Sequence, residues 1–365
     1  MIINNWYVAA DADELKDEPM KVRMLGVDLV LFRGADGNIA CLSNTCCHRG
    51  GSLSRGVVKD GCLSCPYHGW QYDKAGCVTN IPALGDDSKI PKRARVDSYP
   101  VQERYGYIWV FLGDKSEADR LDFPHILPEY EDTETWRILR VQNDWDVNWM
   151  RLGENLVDSS HLPYVHDFGK YLSRKMKIYP IEEKDWGAES IQKTDDNPDS
   201  SLVTLEFSLI GMMQKNRMDM APGVTSLAWH AWTPIDEGHT RLFGLRLRNV
   251  DKDPKYDEER YASSDHVAQE DIDLVSYLAP LVTPRTNANE LVLETDGMET
   301  LFRRKAQELR CKLGAIDGRK LEEERKYKVL VIPSPARRRD PSNWVHDTVP
   351  LIDVGDDRVS SAAAE

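Results

Sequence analysis

Cys46-Cys47-His48-Arg49-Gly50 and Cys65-Pro66-Tyr67-His68-Gly69-Trp70 couple each of two thiols to its own imidazole: Cys46-x-His48, sixteen intervening residues (49–64), then Cys65-x-x-His68. Two thiolates and two imidazoles suit a [2Fe-2S] cluster in which His replaces Cys on one iron and raises its potential. A chain with such a cluster carries single electrons. Tetrahedral zinc accepts the same donors, but zinc modules space their first Cys pair by two to four residues and set both His together, unlike the order here. Bonding from the adjacent Cys47 and His48 would strain the loop. Cys46 is therefore read as the ligand and Cys47 as packing.

The surroundings suit that reading. Trp6 to Ala10, Val27 to Phe32 and Ile39 to Leu42 are short apolar, β-branched and aromatic runs separated by turn signals at Gly34 and Asp36-Gly37. With Tyr107 to Gly113 they predict a small antiparallel β-domain whose hairpin tips hold the two Cys/His pairs. The domain should end between Asp114 and Asp119. Lys89-Ile90-Pro91-Lys92-Arg93-Ala94-Arg95 is the most basic short stretch near the cluster pairs. It reads either as a solvated face or as a patch that steers an acidic electron donor.

A second constellation follows at Asn155-Leu156-Val157-Asp158-Ser159-Ser160-His161-Leu162-Pro163-Tyr164-Val165-His166. Asp158 and His161 would share a helix face. His161 and His166 would point about 140° apart on a regular helix of ~3.6 residues per turn. Pro163 disfavours the α conformation at Leu162 and removes a donor, so a helix distorted between the two His could let them converge. Two His and a carboxylate on one face of Fe(II) form the facial triad that activates oxygen. Later runs, Ser201 to Gly211, Thr225 to Pro234 and Thr240 to Val250, predict strands of an antiparallel sheet curving around a substrate cavity. Met212, Met213, Trp229 and Trp232 are candidates to line it, against the plainer reading that they are core. Glu299 to Arg310 predicts a charged helix.

The segments from Cys46 to Leu53 and from Cys65 to Tyr72 resemble the cluster loops of Rieske non-haem iron oxygenases, with Cys47 where that family usually has Pro. Asn155-x-x-Asp158-x-x-His161-x-x-x-x-His166 resembles the same family's iron motif. The resemblance spans Trp6 to about Arg304, with both motifs in the family's order. It implies an α+β chain: an antiparallel β Rieske [2Fe-2S] domain over 1–117, a catalytic domain over 118–345 with a curved antiparallel sheet and helices carrying a mononuclear iron site, and a tail over 346–365. Cys46, His48, Cys65 and His68 would hold the cluster, and His161 and His166 the mononuclear Fe(II). Asn155 and Asp158 would join the catalytic set, with Asp158 bridging an iron-ligating His to His68 of a neighbouring subunit. Asp265, Glu270, Asp271, Asp273 and Asp296 are the candidates for the third iron ligand. The family's carboxylate commonly opens a helix like the one expected from Glu270-Asp271 through Ile272, Val275, Leu278 and Leu281, which favours Asp271, then Asp296. Acidic residues at a helix start also suit the dipole with no metal involved.

The implied enzyme is a terminal oxygenase that uses O2 and electrons from a separate NAD(P)H-dependent reductase or ferredoxin, since no nicotinamide or flavin motif is evident. The length and motif spacing are similar to the α-only branch, which includes vanillate and dicamba O-demethylases and saxitoxin-pathway hydroxylases. That branch implies a homotrimer acting on a small cyclic or aromatic compound by hydroxylation or by O- or N-demethylation. The competing readings are a non-catalytic Rieske electron carrier, which leaves Asp158, His161 and His166 without a role, and a zinc-stabilised binding protein.

Composition narrows the partners. A net charge of −14 over 365 residues argues against nucleic acid and anionic membranes. The N-terminal residues lack a signal-peptide pattern, and no window approaches the ~20 apolar residues of a membrane helix. Five of seven Cys lie between Cys41 and Cys65, which favours metal binding in a reducing cytoplasm over a disulfide framework.

Overall fold

The computed structural model describes residues 1–85, 89–124, 127–175, 177–193, 202–284 and 290–352. It forms two units, Met1–Asp122 together with a return segment beginning at Leu313, and Phe123–Lys312.

Among the described residues, the Met1–Asp122 part of the first unit is built from three small antiparallel sheets, and the return segment adds a parallel pair, Leu330–Val331 with Asp347–Thr348. β1 (Asn5–Asp11), β11 (Tyr107–Leu112) and β10 (Val101–Arg104) form one, in that order; β2 (Met20–Met24), β3 (Val27–Arg33), β4 (Ile39–Ser43) and β9 (Ser98–Tyr99) form another. Every residue of β11 is buried, as a continuous apolar run between two partners requires. The third sheet, β5 (Val57–Lys59), β6 (Cys62–Ser64), β7 (Gln71–Tyr72) and β8 (Val78–Asn80), places the two Cys/His loops at neighbouring ends of its strands.

The catalytic domain was expected to run to residue 345, but from Leu313 onward the chain packs on the first unit instead. Asp97, fully buried, accepts from Ser334 Oγ at 2.7 Å and from Arg337 Nε and Nη2 at 3.1 and 2.7 Å. A bidentate guanidinium satisfies a buried carboxylate in a way that local sequence does not announce. The same segment occupies much of the basic stretch. Arg95 donates to the Asp340 carboxylate at 2.8 Å and stacks 3.9 Å from the Trp344 ring, and Arg93 donates to the Trp344 carbonyl. The expected tail beyond 352 lies outside the described residues.

The second unit is a seven-stranded antiparallel sheet in the order β12 (Arg137–Trp145), β18 (Thr240–Arg248), β17 (Val224–Pro234), β16 (Met213–Ala221), β15 (Leu202–Ser208), β14 (Gly187–Lys193) and β13 (Ile181–Lys184). From β13 to β18 each strand pairs with the next in sequence, a meander of hairpins. Among the described residues four helices accompany it: α1 (Trp149–Val157), α2 (Leu162–Val165), α3 (Asp257–Val275) and α4 (Gly297–Leu313). Asn148 caps α1 by accepting from Met150 N. At Gly153 an added Cβ would lie 2.3 Å from Phe302 of α4, so the two helices meet at glycine. Beside that contact the buried Arg303 donates to Glu154 at 2.6 Å. Among the described residues no helix is long and apolar enough to cross a membrane.

Candidate metal centres

The two cluster loops are built alike. Cys46 O accepts from Gly50 N at 3.0 Å and Cys65 O from Gly69 N at 2.9 Å, while Cys46 N donates to Gly51 O and Cys65 N to Trp70 O, both at 2.8 Å. Gly50 and Gly69 sit at φ +70° and +73°, a left-handed turn that glycine enters without steric cost. Each loop thus folds its Cys inward and its His outward: Cys46 and Cys65 are buried, whereas His48 and His68 are exposed with ring centroids 4.5 Å apart. His48 lies flat on Trp70, 4.6 Å between centroids. A Cβ at Gly51 would stand 3.0 Å from Cys65 Sγ, so the space before that sulfur depends on a missing side chain. Buried thiols, adjacent imidazoles and this cradle fit a [2Fe-2S] cluster. Tyr72, buried in the same core as Cys46, Cys47 and Cys65, brings its hydroxyl 3.0 Å from Cys46 Sγ.

In the second unit the helix breaks earlier than Pro163 suggests. α1 ends at Val157, and Asp158 is already extended (ψ 127°), while Pro163 sits in the first turn of α2. A missing N–H costs nothing there, because first-turn amides have no helical partner. His161 and His166 flank this short helix and converge with Asp271 so that one ligand atom from each lies within 4.8 Å of the others. Asp271 Oδ1 is 3.4 Å from His161 Nε2 and 3.5 Å from His166 Nε2, and it accepts from Asn155 Nδ2 at 3.2 Å. Asp271 does not open a helix; α3 begins at Asp257 and carries it near the C-terminal end, where the dipole disfavours a carboxylate. Asp296 instead accepts from Leu293 N within its own turn.

Each His has a second carboxylate on its other nitrogen. Glu270 Oε2 is 2.9 Å from His166 Nδ1. Asp158 Oδ2 is 3.4 Å from His161 Nδ1, an ion-pair distance that leaves this nitrogen without a well-formed hydrogen bond. Burial opposes charge on His161, but Asp158 and Asp271 outweigh it and hold the ring up at about 9. A pocket that stabilises positive charge between two carboxylates fits a cation. Two imidazoles, one carboxylate and outer carboxylates on both rings also match how iron ligands are oriented. Burial would raise Asp158, yet His161 and Ser160 keep it down at about 2, whereas burial and then Asp158 push its neighbour Glu299 up to about 9. One of the two carboxyls is ionised and the other keeps its proton. In the sequence Glu299 is one acid of a charged helix and Glu270 one of five candidate third ligands.

A cavity of about 900 Å³ opens onto His161, His166 and Asp271. Met212, Met213, Trp229 and Trp232 do not line it. On β17 Ser226, Ala228 and His230 reach the wall and on β16 Gln214 and Asn216, with Thr225 and Met220 near the strand ends, so strand alternation turns Trp229 and Met213 to the opposite face. Trp232 packs toward Phe302 of α4, 6.1 Å between centroids, and Met212 is wholly buried in the turn before β16. Gln214 and His230 are cross-strand partners, with Oε1 and Nδ1 2.7 Å apart. Burial, then the Arg246 charge, keeps His230 well below its ordinary value. The neutral ring therefore donates from Nδ1 to Gln214 and keeps Nε2 as an acceptor.

Residues 5–100 match the Rieske [2Fe-2S] domain, and residues 200–311 match the vanillate O-demethylase oxygenase C-terminal domain. The 4beta-methylsterol monooxygenase of Methylococcus capsulatus is 36% identical over 260 residues, covering 67% of this chain and 68% of that protein. A tert-butanol monooxygenase/tert-amyl alcohol desaturase oxygenase subunit of Aquincola tertiaricarbonis is 29% identical over 282 residues, or 69% of this chain and 57% of the relative. The chain spans about half the length of that protein and of several other curated relatives it matches. Among solved structures, Pseudomonas putida CBB5 NdmA, a QL mutant with caffeine, superposes with a TM-score of 0.75 at 25% identity, covering 88% of this chain and 94% of that one.

Proposed function

We propose, for a chain that belongs to the Rieske oxygenases, the role of terminal oxygenase component in a multicomponent monooxygenase. Its electrons come from a separate NAD(P)H-dependent reductase or ferredoxin, and with O2 it hydroxylates or oxidatively O- or N-demethylates a small cyclic or aromatic compound. The observation that carries this reading is the convergence of His161, His166 and Asp271 on one wall of a cavity in the unit that follows the Rieske domain. An electron carrier needs no such site.

Cys46, His48, Cys65 and His68 hold the [2Fe-2S] cluster, which supplies single electrons; His161, His166 and Asp271 hold mononuclear Fe(II), which supplies O2 activation. The chain's own residues set the conditions. Glu270 fixes the orientation of His166, Asn155 fixes the Asp271 oxygen, and Asp158 links His161 to His68 of the partner subunit in a head-to-tail homotrimer, a closed heterologous ring. The cavity is broadly apolar, with a polar strip of Gln214, Asn216, His230 and Arg246 on the sheet. That pattern suits a substrate with an apolar body and at least one hydrogen-bonding group, the body excluding water while the polar group fixes which carbon faces the triad. If that carbon is a methyl bonded to oxygen or nitrogen, its hydroxylation gives an adduct that releases formaldehyde.

The test is iron, zinc and acid-labile sulfide content with EPR before and after dithionite on anaerobically purified protein. Cluster iron plus one mononuclear iron per chain, sulfide and a Rieske-type signal on reduction are expected. Zinc without sulfide would refute the reading. With donor and a methylated substrate, consumption without formaldehyde would eliminate demethylation and leave hydroxylation.

A further inference from the structure

Cys47 sits between two cluster ligands in sequence and was read as packing. It is 7% exposed, in the core that also holds Cys46, Cys65 and Tyr72. Three groups meet at the Tyr72 oxygen: Cys46 Sγ at 3.0 Å, Cys47 Sγ at 3.3 Å and Cys47 N at 3.3 Å. The protons can be assigned by elimination. A tyrosine hydroxyl has one hydrogen to give, and a backbone N–H can only donate. A cluster-ligating Cys46 is a thiolate and can only accept. The Tyr72 hydrogen therefore goes to Cys46 Sγ, the nearer and more negative sulfur. The Tyr72 oxygen is left to accept, from the Cys47 amide and from the Cys47 thiol, which keeps its hydrogen at neutral pH as free thiols do.

We propose that Cys47 is a positioning residue for the cluster: its thiol and its amide together hold the Tyr72 hydroxyl as a hydrogen-bond donor to Cys46 Sγ, and so raise the cluster's reduction potential. Two physical steps support the direction. A hydrogen bond to a ligand sulfur favours the reduced, more negative cluster. A hydroxyl that accepts hydrogen bonds is a better donor, because linked hydrogen bonds polarise one another. The tyrosine is essential to this arrangement and the cysteine modulates it. Proline at position 47 would remove both the N–H and the thiol, leaving the Tyr72 oxygen with neither donor.

The proposal rests on Cys46 being a cluster ligand, and its test reads the cluster directly. The full chain is purified anaerobically, and the cluster's midpoint potential is measured by redox titration followed by the EPR signal of the reduced form. Tyr72→Phe is expected to shift the potential furthest to the negative, and Cys47→Ala to shift it in the same direction by less. Cys47→Ser, which keeps a donor, should return toward wild type. The double variant Y72F/C47A should match Y72F alone, because Cys47 acts only through the hydroxyl. Cys47→Val, close in size and without a donor, repeats the test should C47A fail to load the cluster. A wild-type potential in both C47A and C47V would overturn the proposal. So would a double variant lying below Y72F by the full C47A shift, which would mean that Cys47 acts independently of Tyr72. Wild-type protein with no Rieske signal would overturn the ligand assignment itself, and the proposal with it.

Discussion

Asp271 receives three nitrogen contacts on a single carboxylate oxygen, toward the end of a helix whose dipole does not favour negative charge. The carboxylate's surroundings are arranged for a cation, and Glu270, the residue beside it, reaches the far nitrogen of His166. Glu270→Gln keeps the side chain's shape but weakens the acceptor, so iron should be held about 10- to 100-fold more weakly in a chelator competition, with the Rieske signal unchanged. Asp271→Ala should remove mononuclear iron altogether and leave the cluster. Glu299 gives a pH prediction. Its carboxyl keeps its proton up to about 9 in the folded chain, because of burial and then Asp158, against an ordinary value of 4.5. Between those values the unfolded chain binds fewer protons than the folded one, so stability falls as pH rises through that window. Glu299→Gln removes the titration; urea midpoints of the metal-free protein at pH 5 and pH 8.5 should diverge less in the variant than in wild type. Spacing singles out Cys46, His48, Cys65, His68, His161 and His166, and the structure brings His48 beside His68, Cys46 and Cys65 into one core, and His161 beside His166. The partners Glu270 and Glu299 were not legible, because a lone carboxylate on a charged helix looks the same whether it meets solvent or a buried group.

At the scale of elements, α1 and α4 are joined by the Glu154–Arg303 pair, and Arg303 also reaches Glu290. Arg303→Met would leave the buried Glu154 carboxylate without its main counter-ion. The expected cost is about 3–5 kcal/mol in urea denaturation, the range for breaking a buried pair by removing one member. The strands with apolar runs were readable: Trp6 to Ala10, Val27 to Phe32, Ile39 to Leu42, Thr225 to Pro234 and Thr240 to Val250 all fall within or nearly on observed strands. β16 was not, because its sequence Met213-Gln214-Lys215-Asn216-Arg217 is polar on the face that meets the cavity. The same omission misplaced the substrate residues. Aromatic and methionine side chains were chosen for the cavity, but an apolar core claims those first, and the strand period of two then sends Gln214, Asn216, Ala228 and His230 to the other side.

At the scale of the whole molecule, the cluster loops lie in one unit and the triad in the other. In the proposed trimer each cluster serves a neighbour's iron. A His48→Ala chain, lacking a complete cluster site, and an Asp271→Ala chain, lacking a complete iron site, should each be inactive alone. Co-expressed, they should recover activity in mixed trimers, since an intact iron site can then sit beside an intact cluster. No recovery in purified mixed trimers would count against transfer between subunits. Wild-type protein should also be inactive with NAD(P)H and substrate until a reductase or ferredoxin is added, as measured by O2 uptake.

Ligand spacing, glycine turns and apolar alternation are local properties, so the Cys/His pairs, the later Asp/His/His pattern, their order and the antiparallel β character of the first domain are legible along the chain. Only the folded chain brings the segment from Leu313 back to the first unit through Asp97 and Arg337, and sets Glu270 behind His166. It also decided which face of β16 and β17 meets the cavity. Each of these depends on partners 104 to 240 residues apart, or on strand register, and neither leaves a periodic trace in the chain.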